Sequence, residues 1–200
     1  MSAPLPSHHS LLAVLFELQR LKRLDRTGWS LRGMPPGTES VAAHSFGVSI
    51  AAMLLADELV ARGVHINVEQ VLRISLLHDW AEARVGDMPK TATSYFGAEA
   101  RKSAESAALN DMVQHLNTRA QYQQLYQDYE ERELLEARLV KAADVLDLLV
   151  QVLALERAGA RGLDEFWEVA HNPDFRLEGK AGELVAGILQ SLLEQRTKTI

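Results

Sequence analysis

Apolar positions along this chain recur with the period of helices, and nowhere with the two-residue alternation of strands. Leu11, Leu12, Leu15, Phe16, Leu18 and Leu21 follow Ser10 at helical spacing. They predict a first helix over 10–24 with the serine as its cap. A loop carrying Arg26-Thr27-Gly28-Trp29 and Gly33-Met34-Pro35-Pro36-Gly37 comes next. A second helix is expected from Thr38 or Ser40 to about Ala61, stopped by Gly63. A third starts at Asn67, where Gln70 completes a capping box, and runs to about Arg84. Residues 97–117 read as a moderately buried helix, 122–132 as a short one, and 163–170 and 184–194 as two that close the fold. The longest signal covers 133–158, where leucine, valine and alanine occupy nearly every direction, as a central helix requires. The expectation is an all-α, compact multi-helix bundle around that long helix. It forms one domain over 10–200, preceded by a loosely held, flexible N-terminal arm over 1–9 in which His8 and His9 are solvated.

Composition narrows the chemistry. Two hundred residues, 47% of them hydrophobic, suffice for a proper core. Cysteine is absent, so disulfides and thiolate metal sites are excluded and any ion must be held by nitrogen and oxygen. A formal charge of -6 argues against long nucleic acids as partners, because their binding is driven by phosphate neutralisation. Arg20, Lys22, Arg23, Arg26 and Arg32 nevertheless gather with only Asp25 among them. They form either a solvated helix face and basic loop, or a patch from which one or two side chains hold a substrate phosphate. No uninterrupted apolar run approaches the ~20 residues of a bilayer span, and the N-terminus lacks a basic region followed by an apolar core. A cytoplasmic protein without a membrane partner is expected.

The stretch His78-Asp79-Trp80-Ala81-Glu82-Ala83-Arg84-Val85-Gly86-Asp87 carries the chemistry. An adjacent His-Asp pair at the end of an apolar helix reads as half of a divalent-metal site, its two side chains roughly 100° apart around the helix. Further ligands must come from elsewhere, and His44 and Asp144 are the candidates. His44 shares a stripe with Val48, Ala51 and Leu55 and faces the core. It is either a hydrogen-bonded core histidine or, kept neutral in the first turn of its helix, a ligand. Glu82 lies on the stripe of Val71, Ile74 and His78, and an inward carboxylate needs a cation, a donor or water. Asp87 is a turn cap or a member of the site. The polar stripe Lys141, Asp144, Asp147 and Gln151 faces either water or a polar slot inside the protein, and the apolar flanks Val140, Leu148 and Leu155 favour the slot. Trp29 is a lid on the core or a gauge of ligand shape. Trp167 and Phe166 are expected in the core, and His115 on the surface.

Taken together, the order His44, His78-Asp79, Asp144 resembles the HD-domain metal-dependent phosphohydrolase superfamily over about residues 15–155. The strings Glu39-Ser40-Val41, His78-Asp79-x-x-Glu82-x-x-x-Gly86-Asp87-x-Pro89 and Lys141-x-x-Asp144 resemble its 5'-deoxynucleotidase branch. That resemblance implies one divalent ion (cobalt, manganese, magnesium, zinc or iron) held by His44, His78, Asp79 and Asp144, with positions left for water and a phosphate oxygen. It implies a small nucleotide substrate, a (deoxy)nucleoside 5'-monophosphate, with Glu82 and Asp87 as the acid-base pair. It also implies a homodimer, and a Trp29 that rejects the 2'-hydroxyl. Where bacterial members of the branch place an arginine before that tryptophan, this chain has Gly28, so the phosphate contact passes to Arg26, Arg32 or Lys90. The competing readings are an HD-type phosphodiesterase or oxygenase acting on another small phosphorylated or phosphonate metabolite, and a non-enzymatic helical binding protein. The two-metal chemistries need more histidines between the HD pair and the last aspartate, and only His115 lies there.

Overall fold

A computed structural model describes residues 8–199 and is all-α, with no strand among the described residues. Among the described residues, a bridge between extended segments joins Asp25 and Ser40. The expected arm falls mainly on residues 1–7, outside the described residues. His8 and His9, placed in that arm by the sequence, instead open helix α1 (His8–Leu18). A turn of 3-10 helix, Gln19–Lys22, takes the place of the expected last helical turn. The loop that follows contains a single-turn helix, α2 (Thr27–Ser30). It is anchored by Arg26 N donating to Glu39 O at 2.9 Å and Val41 N donating to Leu24 O at 2.8 Å.

Helix α3 (Val41–Ala61) starts where expected, with Ser40 Oγ accepting from Ala43 N at 3.1 Å. By length and composition it could cross a bilayer. Its packing is that of a core helix: Val48, Ala52, Leu55, Ala56 and Leu59 are buried, and Ser49 Oγ accepts from Ser75 Oγ. Helix α4 (Val68–Leu77) is capped by Asn67, whose Oδ1 accepts from Gln70 N at 3.1 Å. It does not continue to Arg84. The chain tightens into a turn with Trp80 N bonded to Leu77 O and Glu82 N to Asp79 O, before the short α5 (Glu82–Val85). His78 and Asp79 therefore sit in this turn rather than on neighbouring spokes of a helix. Periodicity cannot detect the change, because four residues of three-residue winding keep nearly the same apolar pattern.

The remaining elements are α6 (Lys90–Phe96), α7 (Ala98–Val113), α8 (Arg119–Glu131), α9 (Leu135–Arg157), a 3-10 turn Asp164–Trp167, α10 (Glu168–His171) and α11 (Gly179–Thr197). Helix α6 lies where the apolar pattern assigns no element, and the predicted helix over 163–170 is split in two.

The chain divides into two compact units, Met1–Ala43 with Leu77–Glu131, and His44–Leu76 with Arg132–Ile200. In the first, α5, α6 and α8 all pack on α7, and Trp29, Leu109, Val113 and Tyr126 are buried. In the second, α9 is the central helix, buried at Leu139, Val140, Ala142, Ala143, Leu146, Leu149, Val152 and Leu153 and packed on α11. Buried Trp167 donates to Glu156 at 3.3 Å, and the Arg196 guanidinium covers its ring. Phe166 is half-buried rather than a core residue, and His115 is exposed as expected.

Candidate metal and acid-base site

In the first unit the turn after α4 holds His78, only 4% exposed, with Asp79 beside it. His78 Nε2 and Asp79 Oδ2 lie 3.1 Å apart, and both residues can offer ligand atoms to one ion. The edge of Tyr129 on α8 meets the His78 ring at a centroid distance of 5.5 Å, which fixes the plane of the imidazole. One turn on, Glu82 opens α5, half-buried and with its Oε2 fully enclosed. Its Oε2 has no hydrogen-bond partner among the described residues.

Burial, reinforced by the carboxylates of Asp79, Asp87 and Glu105, pushes the Glu82 carboxyl well above the usual carboxylate range, against the opposing pull of Arg26. Gly86 ends α5 at φ +81°, a left-handed conformation that suits glycine, and returns the chain so that Asp87 meets α2. There Asp87 accepts from Thr27 N, while Thr27 Oγ1 donates to Asp87 O at 2.6 Å. Asp87 therefore caps a turn and also belongs to the acidic group.

Arg26 reaches into that group: Nη1 is 3.3 Å from Asp87 Oδ1 and 3.6 Å from Asp79 Oδ2. Trp29 is buried, and its Nε1 donates to Glu39 Oε2 at 2.7 Å. Arg32 is half-buried, and its backbone N bonds to Trp29 O. Lys90 is exposed at the start of α6. The structure thus groups His78, Asp79, Glu82, Asp87 and Arg26, and among the described residues no ion pair draws Lys90 in.

The second unit presents its own ligand set. His44, 1% exposed, has Nε2 at 3.1 Å from Asp144 Oδ1 and Nδ1 at 2.8 Å from Asp147 Oδ2. Lys141 Nζ donates to the other oxygen of Asp144 at 2.7 Å. The polar stripe of α9 therefore faces His44 rather than open water. With Nδ1–H donated to Asp147, the lone pair is left on the Nε2 that lies beside Asp144, the tautomer a metal binds.

Asp147 is the residue that sequence reasoning left out of the site. A signal for it existed in Gly47, a glycine inside α3 where one costs about 1 kcal/mol relative to alanine. A Cβ there would lie 2.0 Å from Asp147 Oδ1, so the glycine makes room for that carboxylate.

These residues suit a divalent cation. The donors are imidazole nitrogens and carboxylate oxygens, which match borderline and hard ions. The partnerless buried oxygen of Glu82 is what a cation or its coordinated water would satisfy.

Comparison with known proteins agrees. The chain is 31% identical over 154 residues to the 5'-deoxynucleotidase HDDC2 of Xenopus laevis, covering 76% of this chain and 72% of that one. It is 31% identical over 198 residues to the 5'-deoxynucleotidase hdd1 of Schizosaccharomyces pombe, covering 94% and 90%. Among solved structures, a conserved hypothetical protein from Pyrococcus furiosus superposes with a TM-score of 0.80 at 34% identity, over 92% of this chain and 99% of that one. The family described as HD domain matches residues 18–172. On that match and these identities, the chain belongs to the HD-domain family.

Proposed function

We propose that this chain is a metal-dependent phosphomonoesterase that hydrolyses deoxynucleoside 5'-monophosphates to nucleoside and phosphate. The observation that carries the reading is the buried acidic group of Glu82, Asp87 and Asp79 beside His78, in a chain whose relatives bear the name 5'-deoxynucleotidase. His44, His78, Asp79 and Asp144 would hold one divalent ion. When bound, the ion supplies Lewis-acid stabilisation of the phosphoryl group.

The remaining work falls to the protein's side chains. Water attacks phosphorus and the P–O5' bond breaks. Between them, Glu82 and Asp87 take the proton from the water and return one to the leaving alkoxide. Thr27 and Arg26 hold Asp87 in place. The phosphate contact falls to Arg26, Arg32 or Lys90, and the reach of Arg26 to Asp79 and Asp87 favours Arg26. Trp29, fixed by Glu39, offers a rigid wall against which a 2'-hydroxyl would clash.

The two-metal alternatives are not favoured: His115, the one histidine between Asp79 and Asp144, is exposed. We further assign the chain to the cytoplasm as a homodimer. The exposed stripe Phe46, Ile50 and Leu54 along α3 supports the second copy, and the cysteine-free composition accords with the compartment.

The test is a panel of ribo- and deoxynucleoside monophosphates with cobalt, manganese or magnesium. Phosphate release from the deoxy compounds is expected, about 100-fold or more slower in Glu82→Ala. Elemental analysis should find one ion per chain. Undiminished turnover in that variant would remove Glu82 from the reaction, and no release from any monophosphate would overturn the reading.

A further inference from the structure

The basic cluster of the early chain is divided by the fold. Arg26 turns to Asp79 and Asp87, whereas Arg20 and Arg23 line an open cavity of about 700 Å³ within the first unit that shares Glu82 with that group and is completed by Phe16, Gln19, Leu24, Ala83, Arg84 and Gly86. Cavities of roughly 300–1,000 Å³ take small organic ligands.

Three guanidiniums contribute to the walls, and their charge is unequally compensated. Arg84 is held in a two-pronged pair with Glu17, at 2.6 and 3.0 Å. Arg20 reaches the same Glu17 at 3.3 Å and donates to Ala83 O. Arg23 is exposed and makes no ion pair among the described residues. Glu17 pairs with two of the three cations and Asp111 takes Arg84 as well, at 3.4 Å, so Arg23 is the guanidinium of the lining left to meet an anion, with Arg20 beside it shared with Glu17.

The other wall is of a different kind. Phe16 is 68% exposed, with an open ring face, and Leu24 continues the apolar surface while Gln19 adds an amide. Cationic donors at one side and an open aromatic face at the other match a ligand with a multiply charged anionic end and a planar ring.

We propose that this cavity is a second nucleotide site, which takes a nucleoside di- or triphosphate with its phosphates on Arg20 and Arg23 and its base on Phe16. Arginine forks bind phosphate oxygens in pairs, and two such groups suit a polyphosphate better than a monoester. The α5 wall includes Glu82, so occupancy here bears on the acid-base residue, and the site acts as a regulator. That coupling rests on the function proposed above. The binding does not.

The experiment titrates ADP, which is not a monophosphate ester, into the full chain treated with a chelator, and follows heat. One ADP per chain is expected. Arg23→Glu should weaken binding at least about tenfold, because a charge-assisted contact becomes a repulsive one. Phe16→Ala, at an exposed position where the fold loses little, should weaken it as well, and Trp29→Ala should not.

With metal restored, ADP should change the rate of monophosphate hydrolysis by the wild type but not by Arg23→Glu, whose rate without ADP should match wild type. ADP binding that ignores both Arg23→Glu and Phe16→Ala, that is lost in Trp29→Ala, or that does not occur at all overturns the proposal. Loss of basal hydrolysis in a folded Arg23→Glu also overturns it, by making the cavity part of the substrate's own site. If no monophosphate is hydrolysed while ADP still binds in an Arg23-dependent way, the proposed reaction has failed and this site stands.

Discussion

Asp147 shows how much of a candidate metal site lies one bond behind its proposed ligands. Its Oδ2 accepts from His44 Nδ1 at 2.8 Å, which sets both the tautomer and the plane of a ring that is almost wholly buried. Partners of this kind change metal affinity about 10–100-fold when removed. Asp147→Asn should therefore weaken binding by about tenfold in a competition assay with a chromogenic chelator, while the protein stays folded. Gly47→Ala should act on the same bond from the other side. The added methyl would meet Asp147 Oδ1 at 2.0 Å and push the carboxylate off the imidazole, so metal affinity should fall although alanine is the better helix former. Unchanged affinity in both variants would show that His44 is held by other means. His44 and Asp144 were legible as candidate ligands because histidine and aspartate on apolar helices demand partners. Asp147 was visible only as one more member of a polar stripe. Which stripe residue meets His44, 103 positions away in the chain, is decided by how α3 lies on α9.

At the scale of elements, long periodic segments were read well and short ones were not. Helices α3 and α9 lie where the apolar pattern put them, to within two residues. The pattern overran at α1 and α4, where the backbone tightens into three-residue winding, and it missed α2 and α6, too short for a period to register. The tightening after α4 matters most, because it presents His78 and Asp79 from a turn.

What ties that region to α1 is Glu17, which takes Arg84 of α5 at 2.6 Å. The hydrogen bond from Arg84 is the main reason the Glu17 carboxyl lies below its ordinary range; burial opposes it, and the charges of Arg84 and Arg20 add to the lowering. A lowered value in the folded protein means that the pair contributes fully above the ordinary carboxylate range and that its contribution is lost as pH falls through the lowered value. Arg84→Gln should therefore cost at most about 1 kcal/mol near neutral pH, as partly exposed ion pairs do, and nothing once Glu17 is protonated in both proteins. Urea unfolding at pH 7 and at a pH below that lowered value would check this. A difference that persists at the lower pH would assign the effect of Arg84 to packing rather than charge.

For the whole molecule, composition gave the class of chemistry and left the assembly open. The absence of cysteine confines any ion to nitrogen and oxygen ligands, and the acidic balance argues against long nucleic acids, but neither property says whether the chain works alone. The surface of α3 does bear on that. Phe46, Ile50 and Leu54 lie four residues apart, on one line along the helix, and all three are exposed. A helix that keeps its opposite face in the core gains nothing from apolar side chains on the outside, and a contiguous patch of this kind ordinarily meets another surface. In a two-fold dimer the same stripe is offered by both copies, so an apolar line meets its own counterpart. Such an interface must bury upwards of about 1,000 Å² in total, of which three side chains on each copy supply a part. Sedimentation of the wild type should give twice the chain mass. Phe46→Glu or Leu54→Glu should give the single chain, because a carboxylate would be placed opposite its own image. Since every proposed ligand and acid-base residue comes from one chain, the monomeric variants should retain phosphate release. Loss of turnover on dissociation, in a chain that remains folded, would show instead that the second copy completes the site.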